Sequence, residues 1–511
     1  MSMALLMLLG LATLIVALAA IFPRAKVSKV ENDKLVPYEA PFRQFSILRL
    51  LYLAVRTFGV AAVQSLVHGK ERATRSRVID IVIRGMRNSG LVLDILDMRS
   101  LIHSMAALAT VPVPVTVREV VWIVQLVSAN AASSPLVVPG SQETREMPTI
   151  VLASELANLV PEQNRSWAIA AEWLVPKDMS ESDRAVAPVV LYVHGGGFTF
   201  NSLRTTRMNV APLAKSLGAS LLSVEYRLSP EHEYPAALHD VVSAYLYLIR
   251  HENVDPARIV VMGDSAGGNL VLAATHFLRA HGLALPAAVV AISPWTDLPS
   301  NLPSLTSHKY DFCVTRPTDL SPEVQANTQF ERSGRYYGGA AVGGPEASRD
   351  ETFHALRSNT YLCPWAAVHT PLSTTALSDS GTLPPPMPPV LVTSGSDEVF
   401  FDDHVLLAAA LQRMAAAGRA WGVFHHVIEH QVHEFVLVDS GAVDSLRATE
   451  AMREFITAAL GNTLTKPVDD AQLTYYRSGT VIPDMDKRAV WGPRWEGIQA
   501  ACKQVDWEPV Y

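Results

Sequence analysis

Four short segments of this chain hold residue types that hydrolytic chemistry needs. The first centres on Ser265, within Gly263-Asp264-Ser265-Ala266-Gly267, between the apolar run "RIVVMG" (258–263) and an alanine- and leucine-rich helical pattern. A strand that turns sharply into a helix brings two backbones together, and glycines two positions before and after the apex remove the Cβ atoms that would collide. Such a turn holds the serine hydroxyl clear of the sheet at a helix N-terminus, where the dipole and free amides favour developing negative charge. That is a nucleophile's position. Taken alone the pattern is equally a common glycine turn, so its partners decide.

The second segment is "VLYVHGGGFTF" (190–200), three glycines directly after an apolar strand. Gly195, Gly196 and Gly197 leave backbone N–H groups open to approach, and together with the amide of Ala266 they would bind a tetrahedral oxyanion beside Ser265. His194 is read as bracing this loop rather than as a base. The third segment, "SDEVFFDDH", offers Asp397, Glu398, Asp402 and Asp403. Asp397 is nearest the end of the preceding strand and is taken as the acid, because sites in open α/β sheets gather at the strands' C-terminal ends. Asp402 and Asp403 are read as caps of the next helix. The fourth, "HQVHEFVLV", puts His433 a few residues past a strand that contains His425 and His426 and ends near His430. A histidine is more often structural than catalytic, but His433 occupies the third station of the order Ser, Asp, His. In that order it is the general base.

These stations need a scaffold. From about residue 165 apolar runs alternate with helical patterns. The strands are "WAIAAEWLV", "APVVLYV" (187–193), "ASLLSVEY" (219–226), "RIVVMG", "AAVVAIS" (287–293), "PPVLVTSG" (388–395) and "GVFHHVIE" (422–429). Helices are expected over 235–252, after Ser265 to Gly282, over 403–418 and near 443–460. Several strands are continuously apolar, as strands covered on both faces are, and the alternation implies a mostly parallel α/β sheet with helices on both sides. Residues 299–387, ending in "LPPPMPP", are too long for a structureless loop and read as an inserted lid with its own short helices. Residues 70–150 read as apolar helical pieces broken at "VPVPVT" and "SSPLVVPGS". The four units are then an anchor (1–23), a helical cap region (24–150), a catalytic domain (151–461) and a C-terminal extension (462–511) whose Trp491, Trp495 and Trp507 should pack on the body.

The 511 residues, 49% hydrophobic and 18% charged, can bury a large core, and a formal charge of −7 without basic runs argues against a nucleic-acid partner. Cys313, Cys363 and Cys502 are too few and scattered for a metal cluster or a disulfide framework, though they allow one bridge; neither metal nor cofactor is expected. "MALLMLLGLATLIVALAAIF" (3–22) is an uncharged stretch about as long as a membrane core is thick, favoured as a retained anchor over a cleaved signal. The stretch 45–67, with Arg49 and Arg56 on one helical face, suits an interfacial helix or a cap helix equally. Arg24, Lys26 and Lys29 after the anchor place the body in the cytosol by the positive-inside tendency. Asn164-Arg165-Ser166 is a glycosylation sequon usable only in a lumen.

In this order and spacing, "HGGGFTF", "EYRLSPEHEYPAALHD", "GDSAGGNLVL", "ISPWTDL", "SGSDEVFFDD" and "VHEF" resemble the hormone-sensitive-lipase family of α/β-hydrolases, which includes carboxylesterases, arylacetamide deacetylases and fungal steryl acetyl hydrolases. The resemblance covers roughly residues 165–460. It implies an α/β-hydrolase fold with a helical cap, Ser265 as nucleophile, Asp397 as acid, His433 as base, and an oxyanion loop of Gly195, Gly196 and Gly197 with Ala266. It also implies a lipophilic ester substrate and an endoplasmic-reticulum membrane with the body in the lumen, against the charge argument. The chain departs from the family in its longer insertion, its C-terminal segment, and "SDEVFFDD" where a leucine-arginine pair usually follows the acid. Rival readings are a silent ligand-binding protein of this fold, like the plant gibberellin receptors that lack the triad histidine, and an amidase or longer-chain lipase.

Overall fold

A computed structural model describes residues 166–300 and 385–465 continuously, with shorter stretches between 27 and 156, 302 and 364, and 472 and 503. The expected anchor and the sequon asparagine lie outside the described residues. Among the described residues no helix is long and apolar enough to cross a membrane.

The seven apolar runs read as strands from about residue 165 all become strands. After a hairpin of β1 (Val27–Glu31) and β2 (Lys34–Tyr38), the strands up to and including these are β3 (Val115–Ser128), β4 (Thr149–Ser154), β5 (Ser166–Pro176), β6 (Val189–Val193), β7 (Ser220–Glu225), β8 (Ile259–Asp264), β9 (Ala288–Ile292), β10 (Val390–Gly395) and β11 (Val423–Ile428). Two further strands, β12 (Gln472–Arg477) and β13 (Thr480–Ile482), come from the C-terminal extension. Eleven of them form one sheet in the order β13-β12-β11-β10-β9-β8-β6-β7-β5-β3-β4. From β7 across to β12 the pairs are parallel, whereas β5 pairs antiparallel with both β3 and β7.

β6, β8, β9 and β10 are buried along their whole length, which explains why they read as continuous apolar runs. Their side chains still alternate. Leu191, Val193, Val261 and Val289 enter one core with helices α2 (Ala236–Arg250), α3 (Ala266–Ala280) and α4 (Phe401–Ala416). Val190, Val260, Met262 and Leu391 enter the other with α1 (Leu203–Leu217) and α5 (Val443–Leu460). Each such side chain contributes about 1.5–3 kcal/mol by leaving water, so the three layers are held chiefly by these two cores. The fold is that of an α/β-hydrolase.

One reading is corrected. Residues 115–128 form a strand, not a helical piece, and pair with β5 over eleven positions from Val115↔Pro176 to Gln125↔Ser166. "VTVREVVWIVQLVS" is rich in β-branched residues, and Trp122, Val124 and Leu126 alternate into the core. The extension adds β12 beside β11, and Arg494 reaches back to Asp402 at 3.0 Å.

Burial holds His276 and His425 down at about 3 and His426 down at about 4. An unfolded chain takes up protons at these positions near pH 6.5 while the native state refuses them. Stability therefore falls as the pH drops from about 6.5 toward 4, by up to ~1.4 kcal/mol per pH unit for each histidine. Urea unfolding at pH 7.5, 6.0 and 5.0 checks this. A stability that stays level over that range contradicts the burial of these rings as neutral groups.

Candidate active site

The chain crosses from β7 back over β6 to β8, and this reversal opens a crevice at the C-terminal ends of β6 and β8. Ser265 and the glycine loop lie there on neighbouring strands. Ser265 follows β8 directly with φ 51° and ψ −117°, a conformation side chains rarely adopt. It is pinned on both sides: its N–H donates to Ile292 O at 2.9 Å and its carbonyl accepts from Trp295 N–H at 3.0 Å. The flanking glycines are required. A Cβ on Gly263 would lie 2.8 Å from Val193 O, and one on Gly267 would lie 2.6 Å from His194 O.

The oxyanion loop is only partly as read. The Gly195 N–H donates to Asp264 Oδ2 at 2.8 Å, so this amide is already committed within the protein. Gly196 and Gly197 have φ of +111° and +57°, and Gly196 O accepts from the amides of Thr199 and Phe200. Their own amides have no backbone acceptor among the described residues, and that of Ala266, first residue of α3, has none within its helix. The amides left open beside the serine turn are therefore those of Gly196, Gly197 and Ala266. His194 does brace the loop: its Nδ1 lies 2.8 Å from Gly195 O, its ring stacks on Tyr226 at 4.3 Å, and Tyr226 Oη donates to His194 O.

Past β10 and β11, His433 is 2% exposed, and its Nδ1 lies 3.3 Å from Oε2 of Glu398. The carboxylate beside the base is thus Glu398, not Asp397, whose Oδ1 lies 3.6 Å from Nδ1 of the half-exposed His430. The turn after Gly395 decides this. The Asp397 N–H is drawn to Gln431 O at 3.0 Å, which sends Asp397 outward and the next side chain inward. Glu398 Oε1 accepts from the Gly395 amide and from Ser293 Oγ at 2.7 Å. Burial pushes Glu398 well up, opposed by these two donors, which favour the carboxylate. Burial pulls His433 down, which leaves the imidazole neutral near pH 7, as a base must be.

Ser293 is a member that sequence reading missed. It has φ 47° at the end of β9, and its Oγ also accepts from the Glu434 N–H at 3.1 Å, so it joins the acid turn to the histidine turn. Only its position at the end of a central strand could have pointed to it. Asp402 and Asp403 do not cap α4. Asp403 Oδ2 accepts from the amides of Thr296 and Asp297, and Asp402 Oδ2 from that of Ser304, bracing the base of the insertion. The insertion is fastened further by the buried ion pair Arg357–Asp297 at 2.6 Å. Tyr337 from it stacks on Phe198 with centroids 3.9 Å apart.

The comparisons with known proteins agree with this fold. A model of the alpha/beta hydrolase fold matches residues 190–333. An acetyl-hydrolase of Streptomyces hygroscopicus is 38% identical over 150 residues, 29% of this chain and 48% of that protein. Arylacetamide deacetylase-like 2 of Homo sapiens is 32% identical over 28% of this chain and 37% of its own length, and hormone-sensitive lipase of Bos taurus 35% identical over 24% and 17%. The chain thus spans about half or less of the length of these curated relatives. A crystal structure of an esterase from the bacterial hormone-sensitive lipase family is 25% identical with a TM-score of 0.50, covering 76% of this chain and 99% of that one. The shared core, carrying the glycine loop and the serine turn, has the α/β-hydrolase fold and is similar in sequence to esterases and lipases of the hormone-sensitive-lipase family.

Proposed function

We propose that this protein is a membrane-anchored serine carboxylesterase that removes short acyl groups from esters of lipophilic alcohols, steryl acetates among them. The observation that carries the reading is the pairing of His433 Nδ1 with the buried Glu398, in a fold that holds Ser265 strained beside two uncommitted glycine amides. A protein that only held a ligand would have no use for that pair. His433 Nε2 takes the Ser265 proton as Oγ attacks the ester carbonyl, and the Gly196, Gly197 and Ala266 amides receive the oxyanion. Glu398 holds Nδ1–H and stabilises the imidazolium. The alcohol leaves with the proton from His433. Water, deprotonated by the same nitrogen, then attacks the acyl-serine, and the carboxylic acid departs as Ser265 regains its proton. Relatives named acetyl-hydrolase and deacetylase support a short acyl group.

The surroundings of the base support it as well. Phe198, Trp295 and Phe400 form a buried row of rings, spaced 5.6 and 5.7 Å, that runs from the oxyanion loop to His433, 5.1 Å from Phe400. Phe400 stands in the stretch where the family usually has a leucine-arginine pair. A rigid aromatic wall beside the reacting atoms favours a small acyl group, while the long insertion leaves the alcohol side to a bulky lipophilic partner. The apolar stretch 3–22 supports an anchor that brings such substrates from a bilayer.

Pockets of this kind separate chain lengths by only about 1–3 kcal/mol per methylene. Preference should decline gradually from acetyl and butyryl esters. Values of kcat/KM for C2 to C16 acyl esters with the detergent-solubilised full chain test this, and an optimum at C12 or longer excludes the deacetylase reading in favour of a lipase.

A further inference from the structure

A second acidic pair lies beneath the oxyanion loop, apart from Glu398. Asp264 is buried, and its two oxygens accept from Tyr192 Oη and from the Gly195 N–H. Glu434, left-handed at φ 52° and fixed by its N–H to Ser293 Oγ, turns its carboxyl toward the same point. A Cβ on Gly195 would collide with Asp264 Oδ2 and lie 2.7 Å from Glu434 Oε1. The first glycine of the loop is therefore bare because two carboxyl groups fill the space over its Cα. Glu434 Oε1 also lies 3.5 Å from His433 Nε2, the nitrogen that must serve Ser265.

We infer that Asp264 and Glu434 hold one proton between them, and that this protonated pair positions the oxyanion loop and leaves His433 Nε2 to Ser265. The inference rests on the serine-esterase reading above. Asp264 is buried and the Glu434 side chain 19% exposed, so two negative charges side by side here repel, and one proton between them removes the repulsion. Asp264 has two other donors and is the better anion, so Glu434 carries the hydrogen and donates it to Asp264. Burial, then the Asp264 charge, pushes Glu434 well up, in agreement with that division. Loss of the proton has two consequences. The Glu434 carboxylate then favours a hydrogen on His433 Nε2, the nitrogen that must stay open to accept from Ser265, and the doubled charge loosens the Gly195 anchor. Glu434 is a positioning residue here, since it acts through His433 and the glycine loop and not on the substrate.

The other groups facing the pair are Tyr192, Tyr226, His433, Glu398, Asp311 and Cys313. Burial pushes the two phenols and the thiol up, away from the range in which the pair would ionise.

The test is the alkaline side of the kcat/KM profile on a short-chain ester. Wild type should fall about tenfold per pH unit once the pair ionises. Glu434→Gln, whose amide still donates to Asp264 but cannot ionise, should lose that limb. Asp264→Asn removes the neighbouring charge and should move the limb to lower pH. The infrared spectrum at neutral pH gives a readout independent of turnover: a protonated-carboxyl band in wild type and Ser265→Ala that is missing from Glu434→Gln. A limb unchanged in Glu434→Gln, no limb in wild type, or no band in the difference spectrum overturns the inference while the esterase reading stands. Activity retained in Ser265→Ala sinks the esterase reading instead.

Discussion

Ser265→Ala should retain no more than about one part in 10⁶ of the wild-type kcat on a short-chain ester, the loss expected when a serine nucleophile that works with its base is removed. The variant should fold normally. Ser265 makes its structural bonds through its backbone, the N–H to Ile292 O and the carbonyl from Trp295 N–H, and alanine keeps both. The positive φ of 51° strains alanine and serine alike. What alanine lacks is only the oxygen that forms the ester bond. The residual rate should come from the Gly196, Gly197 and Ala266 amides acting on bound substrate attacked by water. Burst kinetics supply the second arm, since wild type releases a stoichiometric burst of alcohol if deacylation is slow, and the variant has none. A Ser265→Ala enzyme with most of its esterase activity would remove the serine from the mechanism.

The serine is legible in the sequence because its signal is backbone chemistry written in side-chain absences. Gly263 and Gly267 are needed to avoid Val193 O and His194 O, and no other residue type substitutes for a missing Cβ. The central strands are legible for a related reason: burial on both faces leaves unbroken apolar runs. What cannot be read is parity after a strand ends. Whether Asp397 or Glu398 faces His433 depends on one bond, Asp397 N–H to Gln431 O, made to a residue 34 positions away in the chain. The loop glycines pose the same problem. Three in a row look equivalent, but Asp264 takes the first amide and leaves the other two. The β3 segment does carry a local mark, β-branched residues with Trp122, Val124 and Leu126 alternating inward, which a helical reading of residues 70–150 passes over. Asp402 and Asp403 look like helix caps by position, yet their acceptor oxygens serve amides from residues 296, 297 and 304, which only the folded insertion brings near.

The acid is where the structure and the sequence reading part most sharply, and a pair of isosteric substitutions separates them. Glu398→Gln should lower kcat/KM by about 10⁴, the effect of holding a catalytic histidine in the wrong tautomer. The direction follows from the hydrogen bonds of the side chain. Oε1 accepts from the Gly395 amide and Ser293 Oγ, so a glutamine must keep its carbonyl oxygen there. Its NH₂ then replaces Oε2 and faces His433 Nδ1 across 3.3 Å. A donor at that place forces Nδ1 to accept, puts the ring hydrogen on Nε2, and leaves nothing to take the Ser265 proton. Asp397→Asn weakens a contact with His430, whose side chain is 42% exposed, and should leave kcat/KM within a few-fold of wild type. Near-unchanged circular dichroism in both variants would show that each loss is chemical, since a glutamine in place of Glu398 preserves the bonds that hold the turn. A variant set in which Asp397→Asn loses three or four orders of magnitude and Glu398→Gln stays active would return the acid to the residue nearest the strand.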